Sequence, residues 1–71
     1  MCDIAKLKGK IVEKGFNQSQ LAKTIDMDRT TLNRKMKTGE EFSIKEAEKI
    51  AIALELSGKE AMHIFFDSIV A

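Results

Sequence analysis

The stretch NQSQLAKTIDMDRTTLNRKMK, residues 17–37, decides the fold. Asn17 carries a short polar side chain that accepts from the first free N–H groups of a helix, and Gln20, three residues on, can return the bond as a capping box. Leu21, Ala22 and Ile25 then share one face, which predicts a short helix over about Gln18 to Ile25. Asp26-Met27-Asp28 is too brief for anything but a tight turn. Asp28 is placed to cap a further helix, over about Arg29 to Lys37, with Leu32 and Met36 one turn apart. Thr38-Gly39 stops it.

The pattern continues in both directions. Upstream, Ile4, Leu7 and Ile11 recur at helical spacing with lysines between them, predicting a helix from about Asp3 to Lys14. Lys14 complements the helix dipole in the last turn, and Gly15 can take the left-handed conformation that ends a helix. Downstream, Phe42 and Ile44 anchor a loop, and Ser43 with Glu46 forms an S-x-x-E capping box. Ala47, Ile50, Ala51 and Leu54 make a core-facing stripe behind it. Ser57 and Glu60 repeat the box, predicting a fifth helix from Gly58 to Ile64 or Phe66 with Ala61, Met62 and Phe65 turned inward. The segment 62–71 is more apolar than one helix face requires, so Phe65, Phe66, Ile69 and Val70 are the expected dimer contacts. The expected architecture is all-α, one compact five-helix domain over residues 1–71.

Composition supports this reading. The chain is 44% hydrophobic and 32% charged and contains no proline, which suits a small helical bundle better than a disordered tail or an all-β domain. At 71 residues its core is small, so a partner should stabilise it noticeably. Cys2, the single cysteine, has no intrachain partner and is expected at a frayed terminus. No signal peptide pattern is present, and no apolar run approaches the roughly 20 residues of a membrane span. A cytoplasmic protein with no membrane partner is expected. His63 is the sole histidine, and there is no Cys-His pair, metal-ligand cluster or glycine-rich phosphate loop, so neither an enzyme nor a cofactor is expected.

Net charge is only +1, but it is segregated. Through Thr38, nine lysines and arginines face four acidic residues, a balance of +5; from Gly39 onward, three face seven, a balance of −4. A basic half can meet a polyanion or simply the acidic half of its own chain.

Two short helices across a three-residue turn form a helix-turn-helix, the second helix of which enters the DNA major groove. Residues 18–37 closely resemble that motif in the phage repressor and Cro family, the XRE-like transcriptional regulators. Gln18 stands where the family often opens the first motif helix with glutamine. Ala22 holds the position kept small because the recognition helix crosses over it, and Leu21, Ile25, Met27 and Leu32 fill the core positions. The likeness runs on through the fourth helix and the turn Leu54-Glu55-Leu56-Ser57. Two positions depart from the pattern: Asp26 replaces the usual turn glycine, and Lys35 stands where an apolar residue is common, with Met36 beside it.

The resemblance implies a lambda-repressor-like fold and base contacts from Gln18, Arg29, Thr30 and Arg34. Arginine bridges the two acceptors of guanine, threonine offers its hydroxyl or touches a thymine methyl, and asparagine pairs bidentately with adenine, which adds Asn33. Lys10, Asn17, Thr31, Lys35, Lys37 and Thr38 are expected to meet phosphates, which set register and affinity. The expected partner is a double-stranded operator bound by a homodimer. The rival reading keeps the fold but makes it an antirepressor or co-repressor that binds another phage regulator, for which Glu40, Glu41, Glu46 and Glu48 would suit a basic partner.

Overall fold

The computed structural model describes residues 2–39 and 42–66. It contains five helices: α1 (Ile4–Glu13), α2 (Gln18–Thr24), α3 (Arg29–Thr38), α4 (Ile44–Ala53) and α5 (Gly58–Phe65). There is no strand among the described residues. The fold is the all-α helix-turn-helix architecture that the spacing of apolar positions predicts. Helix boundaries fall within a residue or two of the expected ones: Ile25 is the C-cap of α2, and α3 includes Thr38.

Each helix begins on a side chain that accepts from its free N–H groups: Asp3, Asn17, Asp28, Ser43 and Ser57. Reciprocal capping boxes form at Asn17/Gln20, Ser43/Glu46 and Ser57/Glu60. Each box satisfies two backbone donors that would otherwise need water, and losing a cap typically costs about 1 kcal/mol.

Three connectors share one design. After α1, Gly15 N–H donates to the Val12 carbonyl and Phe16 N–H to that of Ile11; after α2, Asp26 donates to Lys23 and Met27 to Ala22; after α4, Glu55 donates to Ile52 and Leu56 to Ala51. These paired bonds are Schellman motifs, which need a left-handed residue just past the helix. Gly15, Asp26 and Glu55 supply it, at φ +81°, +56° and +53°. The next residue in each, Phe16, Met27 or Leu56, packs partly buried on the core and also occupies the position from which an apolar residue staples the following helix. Each connector therefore ends one helix and starts the next in four residues.

Leu7, Leu21, Leu32, Ile50 and Leu54 are fully buried and form the centre of the core, with Ile11, Ala22, Ile25, Met36, Ala47 and Ile64 around them. Burying each large aliphatic stabilises by at most about 1.5–3 kcal/mol.

Three expectations are corrected. Cys2 is buried rather than frayed, because the Asp3 N–H donates to the Ile64 carbonyl at 2.7 Å and ties the chain's start to α5. Burial pushes its thiol up to about 11. Phe65 is turned inward as expected, its ring meeting that of Phe42 edge-on with centroids 5.7 Å apart, which leaves little of it exposed for the dimer contact also expected of it. Met62 points outward, half exposed, and Ile64 takes the inward place. The contact between Phe65 and Phe42 joins α5 to the loop before α4, which spacing within the helix does not reveal. Ile69 and Val70 lie outside the described residues.

Candidate nucleic-acid interface

The α2–turn–α3 unit is the basis of the candidate surface. Ala22 is almost completely buried, which leaves α2 smooth where the second motif helix packs. The turn closes through Met27 N–H to the Ala22 carbonyl at 2.8 Å, and Asp28 accepts from the Thr30 N–H at 2.9 Å to start α3. Asp26, in the place usually taken by glycine, adopts the left-handed backbone that its position demands.

The buried edge of α3 is Leu32 and Met36. At 3.6 residues per turn, Arg34 falls on the opposite side. Thr30, Arg34 and Thr38 run along that outer face, and Arg29, Asn33 and Lys37, spaced by four, form a second row on its flank. Arg29, Thr30, Arg34, Lys37 and Thr38 are exposed, and Asn33 is half-buried between them. Long donors with few apolar atoms on the outer face are what a groove-reading helix presents. The Thr38 hydroxyl donates to the Arg34 carbonyl at 2.8 Å, so towards a phosphate it serves mainly as an acceptor of bridging water. Thr31 lies half-buried towards the flank of the same helix.

Gln18 opens α2 half-buried and Asn17 caps it, its side-chain oxygen accepting from Gln20 N–H at 2.8 Å. That bond leaves the Asn17 amide group as donor towards a phosphate.

Lys10 and Lys35 are held elsewhere. Lys10 reaches across to α5, with Nζ 2.7 Å from Glu60 and 3.2 Å from Glu13, in a cleft walled by α1 and α5. Those hydrogen bonds raise the Lys10 pKa and bring that of Glu60 down to about 2, the Ser57 N–H adding to the latter. Lys35 binds Glu46 of α4 at 2.7 Å and stands over the Phe42 ring. Glu46 is held below the usual carboxylate range, first by that hydrogen bond and then by the Ser43 N–H. Both lysines are thus ion-paired within the chain, and the pairs with Glu60 and Glu46 are ones that spacing along a helix does not reveal.

This geometry is that of a helix-turn-helix DNA-binding protein of the transcription-regulating kind. The family described as bacterial regulatory protein, Fis family, matches residues 12–38, the motif with the end of α1 before it. That similarity covers less than half of the chain and is to the helix-turn-helix in general, without singling out the phage repressor and Cro family. Neither a curated protein nor a solved structure matches the chain. No helix among the described residues is long and apolar enough to cross a membrane.

Proposed function

We propose that this chain is a phage or prophage regulator of the repressor and Cro type, which binds a pseudo-palindromic operator as a symmetric dimer and acts in the cytoplasm without catalysis. The observation that carries the reading is the polar side of α3, where Thr30 and Arg34 lie opposite Leu32 and Met36 and Arg29 and Asn33 stand on the flank beside them. With α3 in the major groove, arginine reads guanine and asparagine reads adenine, while Gln18 reaches in from α2. Lys37, Asn17 and Thr31 meet phosphates on either side.

One helix covers about half a turn of DNA, which discriminates poorly among competing genomic sites, so two copies reading half-sites about 34–36 Å apart supply the missing specificity. Support for self-association comes from the side of α4 and α5, where Ile44 and Met62 are exposed and Phe66 is half-buried. A groove lined by Ile44, Ala47, Glu48, Ala51, Ala61, Phe65 and Phe66 opens there.

Selection from a randomised duplex pool tests the function. Enrichment of a two-fold related sequence, with Arg34→Ala costing about 1–3 kcal/mol and relaxing one position in each half-site, is the expected result. Failure to enrich any sequence, or salt-sensitive binding indifferent to Arg34→Ala, would overturn it in favour of a protein-binding module.

A further inference from the structure

The C-terminal part of α3 is held by a side chain from the next helix. One oxygen of Glu46 accepts twice, from the Ser43 N–H at 2.8 Å and from Lys35 Nζ at 2.7 Å. The Glu46 N–H donates back to the Ser43 hydroxyl at 3.1 Å, so this carboxylate both caps α4 and grips α3. Only 15% of the Lys35 side chain is exposed. Its ammonium stands 5.5 Å from the centroid of Phe42, a ring that itself packs edge-on against Phe65. Ammonium, carboxylate and ring form one partly buried unit joining α3, the start of α4 and α5. A charge-assisted hydrogen bond in that setting is stronger than an exposed surface pair.

We propose that Glu46 is a positioning residue for DNA recognition: by fixing Lys35 against Phe42 it sets the rotation of α3 and holds the Lys35 ammonium away from the DNA phosphates. The proposal rests on α3 being the groove helix. Base reading tolerates errors of only about 10–20° in side-chain direction. Leu32 and Met36 anchor one edge of α3, and the Lys35 grip adds a second point near its other end, so that the rows carrying Arg29, Asn33, Thr30 and Arg34 meet the groove at one angle. Lys35 stands where the motif commonly has an apolar residue; its methylene stem and its ion pair together take the role of packing.

Two variants separate the parts of the unit. Glu46→Gln keeps the side-chain oxygen that caps Ser43 and removes the charge that holds Lys35. Lys35→Met keeps a stem of similar length over Phe42 and removes the ammonium. Each is measured against the selected operator and a random duplex across a salt series, beside Arg34→Ala. For Glu46→Gln the expected results are native helicity, an operator-over-random ratio lower by about fivefold or more, and a salt slope steeper by about one as the released Lys35 reaches a phosphate. For Lys35→Met the ratio falls similarly and the slope is unchanged. A variant that is merely less stable loses operator and random binding alike and leaves the ratio where it was.

A salt slope shallower by about one in Lys35→Met places Lys35 on a phosphate in the native complex and overturns the proposal. An unchanged ratio in both Glu46→Gln and Lys35→Met, with Arg34→Ala lowering it, refutes the positioning role alone. An unchanged ratio in Arg34→Ala removes α3 from the groove, and both readings fall together.

Discussion

The three Schellman connectors make a quantitative prediction about backbone strain. Gly15, Asp26 and Glu55 occupy the same place in the same hydrogen-bonded turn, at φ +81°, +56° and +53°, yet only one is glycine. A residue with a Cβ in this region carries about 1–2 kcal/mol of steric cost. Replacing it by glycine removes that cost but gives the unfolded chain extra freedom, which takes back about 0.4–1 kcal/mol. Glu55 is exposed, so losing its side chain adds little. Glu55→Gly should therefore stabilise by about 0.5–1 kcal/mol, which in a chain of this size raises the thermal midpoint by roughly 2–8 °C. Asp26→Gly should give a smaller gain, because aspartate hydrogen-bonds locally and tolerates the left-handed region better. Two controls isolate the cause. Glu55→Ala keeps the strain and should leave the midpoint nearly unchanged. Gly15→Ala introduces it where the added Cβ would meet nothing within 4 Å, so its expected loss, also about 0.5–1 kcal/mol, is conformational and not steric. Thermal and urea unfolding followed by circular dichroism read all four. A lower midpoint for Glu55→Gly, or Glu55→Ala gaining as much as Glu55→Gly, would refute the reasoning, the second by tracing the effect to the carboxylate.

Acid should weaken the fold through two ion-paired carboxylates. Glu46 and Glu60 both have pKa values below the ordinary carboxylate range in the folded state, so their contribution is complete above about pH 4.3 and is lost as pH falls towards their folded values. The midpoint should drop as pH falls from about 4.3 towards about 2, the folded value of Glu60, and Glu60→Gln, which keeps the capping oxygen, should flatten that drop. Buried Cys2, with its thiol at about 11, should react with a thiol reagent at neutral pH far more slowly in the folded protein than in denaturant; equal rates would mean the chain's start opens freely. Phe65→Ala should cost about 3–5 kcal/mol and unfold much of the population, since the ring is core. Met62→Ser, on the exposed side of α5, should leave the monomer within about 0.5 kcal/mol of native and weaken self-association in sedimentation; intact self-association would move the dimer contact away from α5.

What the sequence disclosed follows the range of the forces involved. Capping boxes, apolar spacing and left-handed stops act within four residues, so Asn17/Gln20, Ser43/Glu46 and Ser57/Glu60 could be read directly, and with them all five helices. The outer face of α3 was legible for the same reason, because Leu32 and Met36 fix which side is buried. Contacts across long separations were hidden. Glu46 announces itself only as a cap, and nothing local shows that the oxygen holding Ser43 also holds Lys35, eleven residues earlier. Spacing turns Phe65 inward but does not show its partner, because Phe42 precedes it by a whole helix and a turn. The Lys10–Glu60 pair was hidden as well, because the two residues are fifty positions apart.

These hidden contacts bear on how the charge is distributed in function. The +5 balance of the first 38 residues suggests a broad basic face, yet Lys10 and Lys35 are neutralised by carboxylates from the acidic half. The attraction between the two halves is thus partly spent inside the fold. On α3 the exposed basic side chains are Arg29, Arg34 and Lys37, and Lys6, Lys8, Lys14 and Lys23 are exposed in the chain before it. A broad basic surface binds any duplex through counterion release, with little penalty for the wrong sequence. A narrow one gains less from phosphates and depends more on base contacts made at the right angle. With α3 as the groove helix proposed above, Glu60 and Glu46 lower non-specific affinity by holding Lys10 and Lys35, and Glu46 also ties that helix to the core. Removing that carboxylate should strengthen binding to random DNA and weaken discrimination together, a pairing that neither simple charge repulsion nor simple loss of stability produces.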